Sequence, residues 1–299
     1  MWLVLAFLSA LLLGFYDVAK KQALRENSVP VVLLLNTFFA SLIFLPLIFS
    51  SLCGFEWFGA TAFSIPVGSF SDHLQVMLKA VIVLSSWAFG YYGIKHLPIT
   101  IVGPINATRP VMVLVGAMFI FGERLNALQW IGVVLALVSL FMLSRAGRKE
   151  GIDFRHNIWI VCVIVAALLG AASGLYDRYL MHHLQPLFVQ GWYNIYQFAL
   201  MFVVMLVLRL FGKGDATQVR WTWAIPLITI LLTAADMAYF VALSDEEAMI
   251  SIVSMIRRGS VVVSFACGAM LFRERNLRAK AIDLVLILIG MVFLYLGSR

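Results

Sequence analysis

Three arginines stand in runs of apolar residues: Arg109 within ITIVGPINATRPVMVLVGAMFIF, and the adjacent pair Arg257-Arg258 within MISIVSMIRRGSVVVSFACGAML. An arginine at the centre of a bilayer costs roughly 2.5–3.5 kcal/mol on insertion scales, so it persists where it meets water, a ligand or a counter-charge. Guanidinium groups grip phosphate or carboxylate through paired N–H bonds, and two adjacent side chains offer two such forks. Asn106 lies three residues before Arg109 and projects from a similar side of a helix, while Pro110 weakens the backbone ladder just beyond it. Ser251, Ser254 and Arg258 form a polar stripe on one helix face. Such a set recognises an anionic or zwitterionic solute.

Carboxylates form the second constellation. Tyr16-Asp17 and Tyr176-Asp177 each fall late in an apolar run, and Asp236 has Tyr239 three residues on. Asp17 is followed by Lys20 and Lys21 at ion-pair spacing, and Asp177 directly by Arg178. Two roles stay open for these acids: gates or helix-end ion pairs, and proton coupling by a buried carboxylate. A purely structural alternative also stays open, in which Asp17, Asp177 and Asp236 neutralise the arginines while Lys20, Lys79 and Arg178 snorkel toward water. Trp87 and Tyr91 share a helix face and are candidates for a cavity wall. Asn36, Asn194 and Gln197 either line a polar cavity or join helices, and Gly170 with Gly174 has the spacing of close helix packing.

These residues require a membrane to position them. With 63% hydrophobic and 12% charged residues, 299 residues cannot hide their apolar surface in a soluble core. Windows of about 20 apolar residues, the length that crosses a hydrocarbon core, fall at 2–24, 30–52, 74–95, 98–121, 126–144, 158–182, 186–210, 223–243, 248–272 and 277–297. Backbone groups in lipid need internal partners, so these read as helices. The first reads as a retained helix, because Lys20 and Lys21 follow the apolar run and do not precede it. Cys53, Cys162 and Cys267 lack C-x-x-C spacing, so neither disulfide, metal nor cofactor is expected.

The net charge of +7 is explained by topology. Alternate connections carry 15 of the Lys and Arg residues, against Arg124, Arg178 and Arg299 on the opposite face; the positive-inside rule then places both termini outside. The hydrated stretch Arg145–Asn157 falls near mid-chain, with five windows on each side. An odd number of spans per half inverts the second half relative to the first. Markers recur in order: Tyr16-Asp17, Asn36 and Glu123-Arg124 return as Tyr176-Asp177, Asn194 and Glu274-Arg275. The expected fold is an all-α membrane protein of ten transmembrane helices in two inverted five-helix repeats, 1–147 and 148–299.

Ten windows in two halves, Pro30 and Pro186 opening the second of each half, and Gly122-Glu123-Arg124 and Arg273-Glu274-Arg275 closing the fourth resemble the EamA type of the drug/metabolite transporter superfamily. The resemblance implies a secondary carrier with a central cavity bounded by the first four helices of each half. Its sugar-phosphate and nucleotide-sugar branch also carries basic residues in the fourth and ninth helices to hold phosphate. Carriers of this kind are usually described with cytoplasmic termini, the reverse of the charge count.

The sequence therefore predicts a multi-pass transporter of the cell (inner) membrane, moving a small polar metabolite by alternating access. The substrate-binding set is Arg109, Arg257, Arg258, Asn106, Ser254, Trp87, Tyr91, Asn36, Asn194 and Tyr239, and the coupling or gating set Asp17, Tyr16, Asp177, Tyr176 and Asp236. Its partners are a small-molecule substrate and the lipid bilayer, with no nucleic acid; a homodimer stays open. An exporter of neutral or amphipathic compounds, using Trp87, Tyr91 and Tyr239, is the alternative, as is a flippase for lipid-linked carriers. An enzyme is not expected, since G-x-G-D, H-E-x-x-H and G-x-S-x-G are missing.

Overall fold

A computed structural model of the chain describes residues 2–53, 65–109, 111–112, 126–148, 152, 154, 156–181, 183–211, 219–243, 256–272 and 277–297. Ser251, Ser254, Pro110, Gly122, Glu123, Arg124, Arg273, Glu274 and Arg275 lie outside the described residues. The described helices are α1 (Trp2–Ala23), α2 (Val29–Leu52), α3 (Phe70–His96), α4 (Ile99–Ala107), α5 (Ala127–Arg148), α6 (Ile158–Met181), α7 (Pro186–Leu210), α8 (Ala224–Leu243), α9 (Ser260–Leu271) and α10 (Leu277–Gly297). No strand occurs among the described residues. Six helices, α1, α2, α3, α5, α7 and α10, are long and apolar enough to cross a membrane, and α6 and α8 carry shorter apolar stretches. The protein is an all-α, multi-pass membrane protein.

Local chemistry sets the helix starts. Pro30 and Pro186 occupy the first two positions of α2 and α7, where a missing N–H leaves no ladder bond unmade. α3 begins at Phe70, ahead of the apolar window, because Ser69 and Asp72 cap each other: Ser69 N donates to Asp72 Oδ2 at 2.8 Å and Asp72 N to Ser69 Oγ at 3.3 Å. Asn126 and Gln129 repeat that device at α5, with distances of 3.0 and 2.9 Å.

Burial is reversed relative to a soluble protein. On α1, Leu3, Val4, Phe7, Leu8, Leu11 and Phe15 point outward, while the small residues Ala6, Ser9, Ala10 and Ala19 face the bundle. Lys20, Lys79, Gln197, Lys280 and Asp283 are buried. An apolar exterior around a polar interior is the arrangement a bilayer selects.

Helix contacts pair the two halves. α1 packs on α8 and α9, α6 on α3 and α4, α2 on α7, α4 on α9, and α5 on α10. Shifting each label by five turns α1·α8 into α6·α3 and α1·α9 into α6·α4, and leaves α2·α7, α4·α9 and α5·α10 unchanged. The α5·α10 crossing is close because glycines meet there: a Cβ at Gly132 would stand 2.7 Å from the Gly290 carbonyl oxygen.

A basic site at two helix interruptions

α4 is regular only to Ala107, and the Thr108 hydroxyl donates to the Ile105 carbonyl at 2.7 Å as the helix ends. Arg109 follows directly. In the other half a helical turn at 256–258 stops at Gly259, and α9 starts at Ser260. The offset that aligns Glu123-Arg124 with Glu274-Arg275 carries Thr108 onto Gly259. Two helices thus interrupt their ladders at matched positions, with Arg109 just after one interruption and Arg257-Arg258 just before the other. α4 packs on α9, where a Cβ at Gly103 would stand 2.9 Å from Val261 Cγ1.

Arg109 Nη2 donates to Asn106 Oδ1 at 3.1 Å, so the expected pair forms. The guanidinium lies against α6 at Gly170, where a Cβ would be 2.7 Å from both Cζ and Nη1. Its Nε is buried with no acceptor among the described residues. Arg258 lies within electrostatic reach of Arg109, Arg257 and Tyr239. Three like charges therefore converge, and both Arg109 and Arg258 are half-buried.

The carboxylates are distributed elsewhere. Asp236 on α8 forms an ion pair with Arg257, whose guanidinium sits 4.1 Å from the Tyr239 ring centroid. Asp177 pairs with Lys79 of α3, across the halves, and the Lys79 ammonium lies 5.0 Å from the Tyr193 ring. Asp17 holds Lys20 at 2.7 Å. Lys20 and Lys79 are thus buried ion-pair partners and do not snorkel, and the side chain of Arg178 lies outside the described residues. Lys21 donates to the Ile94 and Leu97 carbonyls at the end of α3. Among the described residues Arg109 and Arg258 have no ion pair, although Asp17 lies within longer electrostatic range of Arg109.

The aromatic and amide candidates divide into two clusters. Tyr16 and Tyr91 hydroxyls meet at 3.3 Å, and Lys20 lies 4.3 Å from the Tyr16 ring. Asn36 Nδ2 donates to Tyr91 at 3.5 Å, and its Oδ1 accepts from Thr229 of α8 at 2.9 Å. Trp87 packs half-buried on this cluster. Toward the other ends of α3 and α6, Tyr176 donates to the Gln75 carbonyl at 3.2 Å. Asn194 bonds the Gln190 carbonyl at 2.9 Å, and its own carbonyl accepts from Ser41 of α2 at 3.1 Å, a role in joining helices.

Sequence reasoning missed Tyr193, which lies within electrostatic reach of Asp177, Asp236 and Arg257. Its place beside the repeated marker Asn194 was a usable signal. Gly170 was read as helix packing; the structure gives it to Arg109, while a Cβ at Gly174 would meet nothing within 4 Å. At the Lys/Arg-rich ends of the helices a cavity of about 380 Å³ is lined by Lys21, Arg25, Lys95, Leu271 and Phe272.

Comparisons with known proteins agree with this architecture. Residues 1–145 match the EamA-like transporter family. An uncharacterized transporter of Bacillus subtilis (strain 168), YxxF, is 21% identical over 169 residues, 56% of this chain; the match spans about half (53%) of the length of that relative. A solved crystal structure, described only as that of a protein, superposes with a TM-score of 0.62 over 99% of this chain and 97% of its own, at 15% identity, a likeness of fold. The first 145 of the 299 residues are thus similar to the EamA-like transporter family, and the chain as a whole shares its all-α fold with a solved structure.

Proposed function

We propose that this protein is a secondary transporter of the cell (inner) membrane that moves a small organic anion, a phosphorylated compound or an amino-acid-like zwitterion by alternating access. The observation that carries this reading is the unequal pairing of the arginines: Asp236 takes Arg257, and Arg109 and Arg258 lie within electrostatic range of each other with no ion pair to either among the described residues. Like charges held together in a low-dielectric interior repel, and an anionic solute relieves that repulsion while filling the guanidinium forks. Asn106 orients one fork and Gly170 gives it room. The cationic mouth of Lys21, Arg25 and Lys95 concentrates anions by field focusing.

Segments 1–147 and 148–299 act as two inverted repeats that rock about this site. The exchange of helix partners under a shift of five supports the repeat reading. The Tyr16–Tyr91–Asn36 cluster and the Lys79–Asp177 pair lie toward opposite ends of α3 and serve as the two gates.

The test is uptake into proteoliposomes of radiolabelled phosphoenolpyruvate, succinate, glutamate and sorbitol, with wild type and Arg258→Gln side by side. Uptake of an anion or zwitterion, lost in the variant while size exclusion shows it folded, supports the reading. Sorbitol uptake that ignores the substitution overturns it in favour of an exporter of neutral compounds.

A further inference from the structure

We infer that Asp283, in the interface of α10 with α5 and α4, is a proton-binding site of the carrier. Asp283 is 0% exposed, and neither carboxyl oxygen has a hydrogen-bond partner among the described residues. Beside it on the same helix, Leu284 and Ile287 pack with Ala107 of α4 and Val261 of α9. The Ser139 hydroxyl of α5 donates to the Asp283 backbone carbonyl at 2.7 Å, not to its side chain.

The charged groups on the neighbouring elements do not compensate it. The described part of α5 carries Arg145 and Arg148, both exposed near its end, and α4 and α9 carry none. On α10, Arg278 is exposed, and Lys280, buried one turn earlier, makes its own contacts. No ion pair reaches Asp283 among the described residues. Burial without a donor or counter-charge among the described residues disfavours the carboxylate relative to the neutral acid. Asp283 contrasts with Asp17, Asp177 and Asp236, each of which faces a cation.

Releasing this proton requires that α10 shift so that the carboxylate finds water or Lys280. Because α10 packs on α4, whose end positions Arg109, such a shift couples the proton to the anion site. That consequence rests on the transporter reading above; proton binding itself does not.

Infrared titration of the full chain in neutral-lipid vesicles, from acidic to alkaline pH, tests the site without any substrate. A protonated-carboxyl C=O band should be present in wild type at acidic pH and fade as pH rises, absent in Asp283→Asn and regained in Asp283→Glu. A wild-type spectrum identical to that of Asp283→Asn overturns the inference. The second arm is phosphoenolpyruvate, succinate and glutamate uptake driven by an inward proton gradient. Asp283→Asn should keep solute exchange at equal pH and lose gradient-driven accumulation at least tenfold. Equal accumulation in both proteins overturns the coupling. A Asp283-dependent band with no uptake of any solute by wild type would instead remove the transporter reading and leave the proton site standing.

Discussion

At the residue scale the site depends on an absence, the missing side chain of Gly170. An arginine guanidinium is planar and needs a flat surface as well as an acceptor, and the α6 backbone at Gly170 provides it. A methyl group there would lie 2.7 Å from Arg109 Cζ, inside any van der Waals distance. Gly170→Ala should displace the fork and raise the KM for the transported anion about tenfold, equivalent to ~1.4 kcal/mol. Gly174→Ala, one turn away and facing open space, should leave KM unchanged. Equal effects of both substitutions in initial-rate uptake would assign Gly170 to helix packing alone. The arginines were legible in the sequence because a charge inside an apolar window has few explanations. Their partners were not: Arg257 and Asp236 are 21 residues apart and Lys79 and Asp177 are 98 apart, and no local spacing predicts either pair.

At the element scale the sequence prescribed helix starts and lipid faces, since Pro30, Pro186 and the Ser69–Asp72 box act within a few residues. It did not reveal the interruptions at Thr108 and Gly259, which lie inside windows that read as continuous apolar spans. There the apolar period persists while the backbone turns; Pro110 signalled a weakened ladder just beyond Arg109, and at Gly259 only the repeat offset carried a hint. The α5·α10 crossing has an equally compact origin in Gly132 and Gly290. Valine at 132 would force the helices apart, and overpacking of this kind costs roughly 1–3 kcal/mol. Gly132→Val should therefore lower the thermal midpoint in detergent, measured by differential scanning fluorimetry. The KM of the folded fraction should not move, because neither glycine touches Arg109, Arg257 or Arg258. A changed KM with an unchanged midpoint would show that α5 and α10 shape the site directly.

At the scale of the whole molecule, alternating access demands that contacts between the halves break on one face while they persist on the other. Lys79 of α3 and Asp177 of α6 belong to different halves, and their ion pair lies far along α3 from the Tyr16–Tyr91–Asn36 cluster. If the halves rock, the separation of residues 79 and 177 must change during each cycle. With Cys53, Cys162 and Cys267 replaced by serine, the variant Lys79→Cys/Asp177→Cys should be transport-competent when reduced, and crosslinking should stop uptake. Reductant should restore it, since nothing but the tether has changed. Uptake that survives the 79–177 crosslink would mean that the halves do not separate on that face. The gate would then have to be sought at the Lys/Arg-rich mouth, where Lys21 holds the end of α3 to α1.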